Sequence, residues 1–492
     1  MEKLIFDHQF SSQGLQILPK QKQTISVVVA KPTRFCNADC SYCSSPPMEE
    51  MGANKELSWD IEKFKKYFDK VYPHMIAGSY WIWHGGEPML MGIDFYKQTY
   101  EYAKSRMEES GRIIYFSMQT NLLAYNDKWY PVFSEIFGGS LSSSFDADET
   151  HRTIKGNNQL FSKVFKRSLT KVLEDGFRPM VIGVYTEETA PLMHTMYDWS
   201  LSLGEKSFPL RFNYCHPTGR LESQGEAISP ITYANSLISL YNRWIKDIPN
   251  FTITPLDQMF KKVIGMDGEG HCPWTKKCGG RFIEIEPNGE VYNCADFADL
   301  GNKYCFGNLD NQTTLEEMLA TKPALQIRRR VNNVPVSCQT CEHFEDCEGG
   351  CMRDSVLYKH GLYGKFHYCE SWKMVFSRIK ESIITGEADG IIVKYGFDPI
   401  SVKNYVKQNI QSHFTFSIQE WQTLESEGLK NMFGFGDNYF NLEESNYNSK
   451  GEFMSQDNQS MIMFDIKSDP ENTSLSKANQ KLNDIKLKVI ST

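Results

Sequence analysis

Short apolar runs alternate with stretches of helical periodicity through the first half of the chain. The runs at 25–30, 80–84, 113–119, 141–145, 180–185 and 210–214 predict strands, each bounded by polar or turn-forming residues. Between the first two, residues 58–72 carry Ile61, Phe64, Phe68 and Val71 at helical spacing. Ser58 reads as the N-cap, and Asp60 and Glu62 suit the positive end of the helix dipole. Six strand–helix units predict a parallel α/β layer or an incomplete barrel, with ligands at the C-terminal ends of the strands. A helix is predicted at 231–248, after which the pattern changes. From 271 to 373 the chain is loop-rich and short of apolar periodicity, and from 437 to 485 it is rich in Asn, Ser, Asp, Glu and Gln. The expected divisions are a lead-in at 1–24, the α/β unit at 25–225, a helical linker at 226–270, the loop-rich unit at 271–373 and a C-terminal extension at 374–492.

Composition narrows the class. The 492 residues carry 53 Lys+Arg against 61 Asp+Glu, a net charge of −8, with 40% hydrophobic and 23% charged residues. This is ordinary globular composition and excludes wholesale disorder. No apolar run reaches the roughly 18 residues that span a bilayer, and the first residues lack an export pattern, so the expected compartment is the cytoplasm. The acidic balance excludes a phosphate-tracking nucleic-acid binder. The basic cluster Arg328-Arg329-Arg330 reads as a solvated helix face. Thirteen cysteines change the picture more. An odd number at short spacings, without an export signal, reads as metal ligation and not as a disulfide framework.

Cys36, Cys40 and Cys43 form a CxxxCxxC loop after the first predicted strand. Three thiolates hold three irons of a [4Fe–4S] cube and leave the fourth without a protein ligand; a zinc loop lacking one ligand is the alternative. Gly85-Gly86-Glu87-Pro88 follows the second strand, where glycines permit close backbone approach and a carboxylate accepts from a cationic amine. A third constellation joins Cys272, Cys278, Cys294, Cys338, Cys341, Cys347, Cys351 and Cys369, enough thiolates for two fully ligated cubes or a pair of zinc sites. Cys215 and Cys305 read as small buried hydrophobes.

The three-cysteine loop, Tyr42 within it and the GGEP turn together resemble the radical S-adenosylmethionine (SAM) superfamily. The resemblance implies a partial (β/α)6 barrel at 25–225, a [4Fe–4S] cluster on Cys36, Cys40 and Cys43, and SAM bound at its open iron. It assigns SAM contacts to Tyr42, Gly85, Gly86, Glu87, Asn121 and Ser144, and to Lys155 where relatives carry an Arg. The later cysteines resemble a SPASM domain, which implies one auxiliary cluster on Cys272, Cys278, Cys294 and Cys351. A second would sit on Cys338, Cys341, Cys347 and Cys369, making three [4Fe–4S] clusters in all. Asp296, one residue beyond the position of the catalytic Asp in anaerobic sulfatase-maturing enzymes, becomes the candidate base, with Tyr214, His216 and Arg220 near the same mouth. The implied activity is hydrogen abstraction from a side chain of a ribosomally made precursor peptide or protein, forming a crosslink. Formylglycine formation and a non-catalytic Fe–S electron carrier are the alternatives. The implied partners are the substrate and an electron donor such as flavodoxin or ferredoxin, with no nucleic acid and no membrane.

Overall fold

The computed structural model describes residues 24–409, except 51, 56, 223–226, 267–271 and 273–277, and two short strands further on. The chain divides into two compact units, Met1–Val406 and Lys407–Thr492. In the second, Ser460–Ile462 pairs antiparallel with Val489–Ser491. The first unit holds all the candidate chemistry.

Its strands and helices run β1 (Ile25–Ala30), β2 (Asp39–Cys40), α1 (Ile61–Val71), β3 (Met75–Trp83), α2 (Ile93–Ser110), β4 (Tyr115–Gln119), β5 (Leu141–Ser144), β6 (Arg152–Thr153), α3 (Asn158–Glu174), β7 (Met180–Tyr185), α4 (Met193–Ser202), β8 (Leu210–Tyr214), α5 (Pro230–Asp247), β9 (Ile253–Thr254), α6 (Leu256–Val263), β10 (Phe282–Ile285), β11 (Glu290–Asn293) and β12 (Gly307–Asn308). One ten-stranded sheet has the order β12-β11-β10-β1-β3-β4-β5-β7-β8-β9. Pairing is parallel from β10 through β1 to β9 and antiparallel at β10–β11 and β11–β12. The crossovers are α1 to α5, except that β4 and β5 are joined by the short turns Asp127–Trp129 and Val132–Ile136.

The predicted strands are all present, β3 being extended back to Met75. The α1 cap differs from expectation: Asp60 takes the role, its carboxylate accepting from Lys63 N at 2.8 Å. Ser58 lies too far upstream and instead donates to Thr33 Oγ1 at 3.0 Å. Phe64, Tyr67, Phe68 and Val71 turn inward, and Phe64 and Phe68 meet Trp81 of β3 at 5.7 and 5.4 Å between ring centroids. The stretch expected as a linker contributes more than a helix. Its β9 closes onto β8, and α5 packs against the helix Cys369–Thr385.

The loop-rich unit is not separate from the α/β layer. β10 pairs with the free edge of β1, in register from Val27↔Phe282 to Ala30↔Ile285. Buried charges lock this seam. Lys31 pairs with Glu284 and, at 3.0 Å, with Glu286; Arg34 grips Glu286 through Nε and Nη2, both at 2.7 Å. All four side chains are nearly inaccessible to solvent. Glu286 is held well below the usual carboxylate range: burial alone would raise it, but Lys31 and Arg34 outweigh that. Removing one member of such a group strands its partners as uncompensated charges. Glu286→Gln is therefore expected to lower the unfolding free energy of the metal-free protein by about 3–5 kcal/mol, measured by denaturant titration. A loss within the roughly 1 kcal/mol of an exposed pair would contradict a locked seam.

Candidate active site

The cysteine loop leaves β1 and is held from three sides. Its Asp39–Cys40 segment pairs antiparallel with Arg152–Thr153. Arg220, beyond β8, donates from Nη1 to the Cys40 carbonyl at 2.8 Å and from its backbone N to the Cys43 carbonyl at 3.0 Å. It also grips Glu50 through Nε and Nη2 at 2.9 and 2.6 Å. Arg220 is thus a loop brace. The third support is the GGEP turn, where Gly86 N donates to Thr33 O at 3.0 Å and Glu87 N to Phe35 O at 2.9 Å. A Cβ on Gly85 would lie 2.2 Å from Thr33 O, and one on Gly86 2.2 Å from Arg34 O. The close approach these glycines permit is to the cysteine loop itself.

Glu87 departs from the role expected of it. Its side chain is fully buried. One carboxylate oxygen accepts from Met89 N at 2.8 Å and Thr120 Oγ1 at 2.7 Å, the other from Asn121 N at 2.7 Å. Burial pushes its pKa up to about 7 against those three donors. In this arrangement Glu87 ties the GGEP turn to the end of β4, and its oxygens are already engaged by the protein.

Tyr42 donates its phenol to Asp146, which also accepts from Arg152 Nε at 2.8 Å and Val184 N at 2.9 Å. The Arg152 guanidinium lies over the Tyr42 ring, 5.4 Å from its centroid. Lys155, by contrast, is exposed on the following turn with φ +51°. Of these two neighbouring cations, the one turned toward Tyr42 of the cysteine loop is Arg152, which sequence reading passed over although it directly follows His151. Asn121 donates from Nδ2 to Asn37 Oδ1 at 2.7 Å and lies 3.8 Å from Cys36 Sγ. Ser144 Oγ accepts from Gln119 Nε2 at 2.8 Å. Burial pushes the Cys36 thiol up to about 12 and raises Cys40 and Cys43 as well.

Burial raises the thiols of Cys278, Cys294 and Cys351, and neighbours add to it: Cys272 at Cys278, then Asp296, Cys351 and Cys278 at Cys294, and Asp354, Cys272 and Cys278 at Cys351. Cys338, Cys341, Cys347 and Cys369 line one cleft with Lys365, Phe366 and Trp372. Among the described residues no three His, Cys, Asp or Glu side chains converge on a single ion. Cys215 is buried, and Cys305 donates its thiol to Gly307 O at 3.4 Å.

Asp296 lies where the two halves of the site meet. Burial acts to raise its pKa, but Arg353, His216, Lys31 and His84 outweigh that and hold the carboxyl below its ordinary value. His84 ends β3, Lys31 follows β1 and donates to the Ala295 carbonyl at 3.1 Å, and His216 follows β8. Burial, with Lys31 beside His84 and Arg353 beside His216, pushes both imidazoles down to about 4, so at pH 7 the charges facing Asp296 are those of Lys31 and Arg353. Tyr214 donates its phenol to Asp354, whose other oxygen accepts from Arg353 Nη1 at 3.0 Å. An anionic carboxylate thus faces the strand ends beside Cys294.

Family models match in the same two regions: residues 30–190 match the radical SAM superfamily and 272–342 the iron–sulfur cluster-binding SPASM domain. A serine-type anaerobic sulfatase-maturating enzyme of Bacteroides thetaiotaomicron is 24% identical over 398 residues, covering 75% of this chain and 94% of that protein. The serine-type enzyme of Klebsiella aerogenes is 26% identical over 322 residues, covering 64% and 76%. The cysteine-type enzyme of Clostridium perfringens (strain 13 / Type A) is 25% identical over 367 residues, covering 72% and 95%. The solved structure of native anSMEcpe with bound AdoMet has the same fold, with a TM-score of 0.62 at 22% identity, covering 73% of this chain and 99% of that one.

The two cations separate experimentally. Arg152→Ala removes a buried charge-assisted bond worth about 1.5–3 kcal/mol and releases Tyr42 and Asp146, so SAM affinity should fall about ten-fold or more. Lys155→Ala should leave it within about two-fold. Anaerobic equilibrium dialysis checks both, and a larger loss at Lys155 would contradict the placement.

Proposed function

We propose that this radical SAM enzyme with its SPASM domain oxidises a side chain of a peptide by net removal of two hydrogens, with Asp296 taking the proton. The carrying observation is the placement of Asp296, two residues after Cys294 and next to Ala295, whose carbonyl Lys31 grips at 3.1 Å just past β1. A carboxylate there can accept the proton of a substrate that has lost a hydrogen atom; the neighbouring cations keep it deprotonated while making it a weaker base than a free carboxylate. When bound, SAM and three [4Fe–4S] clusters supply a 5′-deoxyadenosyl radical and the acceptor for the remaining electron. Cys36, Cys40 and Cys43 would hold the SAM-binding cluster. Cys272, Cys278, Cys294 and Cys351 would hold one auxiliary cluster, and Cys338, Cys341, Cys347 and Cys369 the other. Tyr42, Gly85, Gly86, Asn121 and Ser144 would border SAM, with Glu87 and Arg152 fixing the loop and turn that position it. Arg353 and Lys31 keep Asp296 ionised, and the packed seam under the mouth excludes water.

Two products satisfy this balance. The sequence reading is a crosslink between side chains of a ribosomally made peptide, with the residue after Cys294 being Ala and not Asp. The second is formylglycine. It is favoured by relatives named as sulfatase-maturating enzymes, and by Asp296 reaching the strand ends despite its displacement. A precursor peptide suits both readings, since the anSMEcpe fold is also solved with bound AdoMet and Kp18Cys peptide.

Product analysis decides between them. A crosslink and formylglycine made from serine both lose about 2 Da, while formylglycine made from cysteine also exchanges sulfur for oxygen; a crosslink suppresses fragmentation between the joined residues and ignores a hydrazide probe, whereas an aldehyde fragments linearly and reacts. Tandem mass spectrometry of a peptide encoded beside this chain's gene reads the difference; an unchanged mass would contradict both. Asp296→Asn should keep 5′-deoxyadenosine formation while lowering oxidised product by about a hundred-fold or more. Undiminished product would remove Asp296 as the base.

A further inference from the structure

The expected solvated face at Arg328-Arg329-Arg330 is only partly present. Arg329 is exposed, Arg328 is half-buried, and Arg330 is 1% exposed. Arg330 caps the helix Lys322–Arg329, and its side chain turns into the protein. Its Nη2 donates to the Gly349 carbonyl at 3.0 Å, while Nε and Nη1 are buried without a hydrogen-bond partner. A guanidinium does not escape this by losing its proton. The charges opposing it, ahead of any carboxylate, are thiols of both quartets: Cys338, then Cys351, Cys278 and Cys347. Reciprocally, Arg330 works against the burial that raises Cys278 and Cys338. Gly349 lies between Cys347 and Cys351, where the chain passes from one quartet to the other.

We propose that Arg330 is the shared counter-cation of the two auxiliary iron–sulfur clusters, offering Nε and Nη1 to their sulfurs and favouring the reduced form of both. This role presupposes the cluster assignment proposed above. A cube on four thiolates is anionic, and reduction adds a further negative charge. A fixed buried cation and N–H donors to the sulfurs therefore raise the reduction potential. The same charge explains why a guanidinium is tolerated here with two donors unanswered: its compensation arrives with the metal, so assembly of the two clusters is coupled through one side chain.

The test uses the full-length protein, reconstituted anaerobically and titrated with dithionite under EPR. Arg330→Met should lower the midpoint of both auxiliary clusters by about ten-fold in the reduction equilibrium, about 59 mV. The cluster of Cys36, Cys40 and Cys43 should not move, and Arg330→Lys should stay near the parent. Metal-free Arg330→Met should melt above the metal-free parent, because an uncompensated charge is gone, and reconstituted Arg330→Met below the reconstituted parent. Unmoved midpoints, equal shifts in the Met and Lys variants, or a Met variant destabilised in both metal states would overturn the role. With about twelve iron per chain those outcomes leave the cluster assignment standing; a parent saturating near four iron would overturn that assignment and the role with it.

Discussion

Strand β1 is shared by both halves of the site, and the buried ion pairs at its end fix what surrounds it. One edge carries β3 and the rest of the parallel array, and the other carries β10. The cysteine loop begins a few residues beyond β1, and β11, the strand that Cys294 directly follows, is the hairpin partner of β10. Lys31 and Arg34, against Glu284 and Glu286, therefore set the distance between the three-thiol loop and the nearer quartet. Buried pairs of this kind add little net stability but penalise any misdocking, because a slipped seam would expose charges to an apolar interior.

The chemistry follows from that geometry. Lys31 serves the seam and also the mouth, where it acts on both His84 and Asp296. Arg353, two residues past Cys351, performs the matching task from the far side through Asp296 and Asp354. A half-buried carboxylate would ordinarily drift toward its neutral form; here Lys31 and Arg353 act to keep it charged.

Much of this was legible in the chain. Strand positions and the cysteine loop followed from periodicity and spacing, which local sequence encodes well; the grouping of the later thiols came from the resemblance alone. What escaped was set by contacts distant in sequence. Glu87 reads as a ligand for an amine, yet Thr120 and Asn121 claim its oxygens from the next strand. Arg152 was passed over for Lys155 because only the pairing of Arg152 with Cys40 shows which cation faces the loop. Arg330 reads as surface because burial of a charge leaves no local signature. The attachment of β10 to β1 is a pairing across some 250 residues, beyond the reach of any pattern read locally.

The central claim is that three thiols and two thiol quartets in one docked framework hold three clusters, of which only the first acts on SAM. Iron, sulfide and 5′-deoxyadenosine measured on the anaerobically reconstituted parent and on a variant with Cys36, Cys40 and Cys43 all changed to Ala test it most directly. The account predicts about twelve iron falling to about eight, with the auxiliary signals retained and 5′-deoxyadenosine formation abolished. A parent holding about four iron, stoichiometric zinc in its place, or continued SAM cleavage by the variant would contradict it.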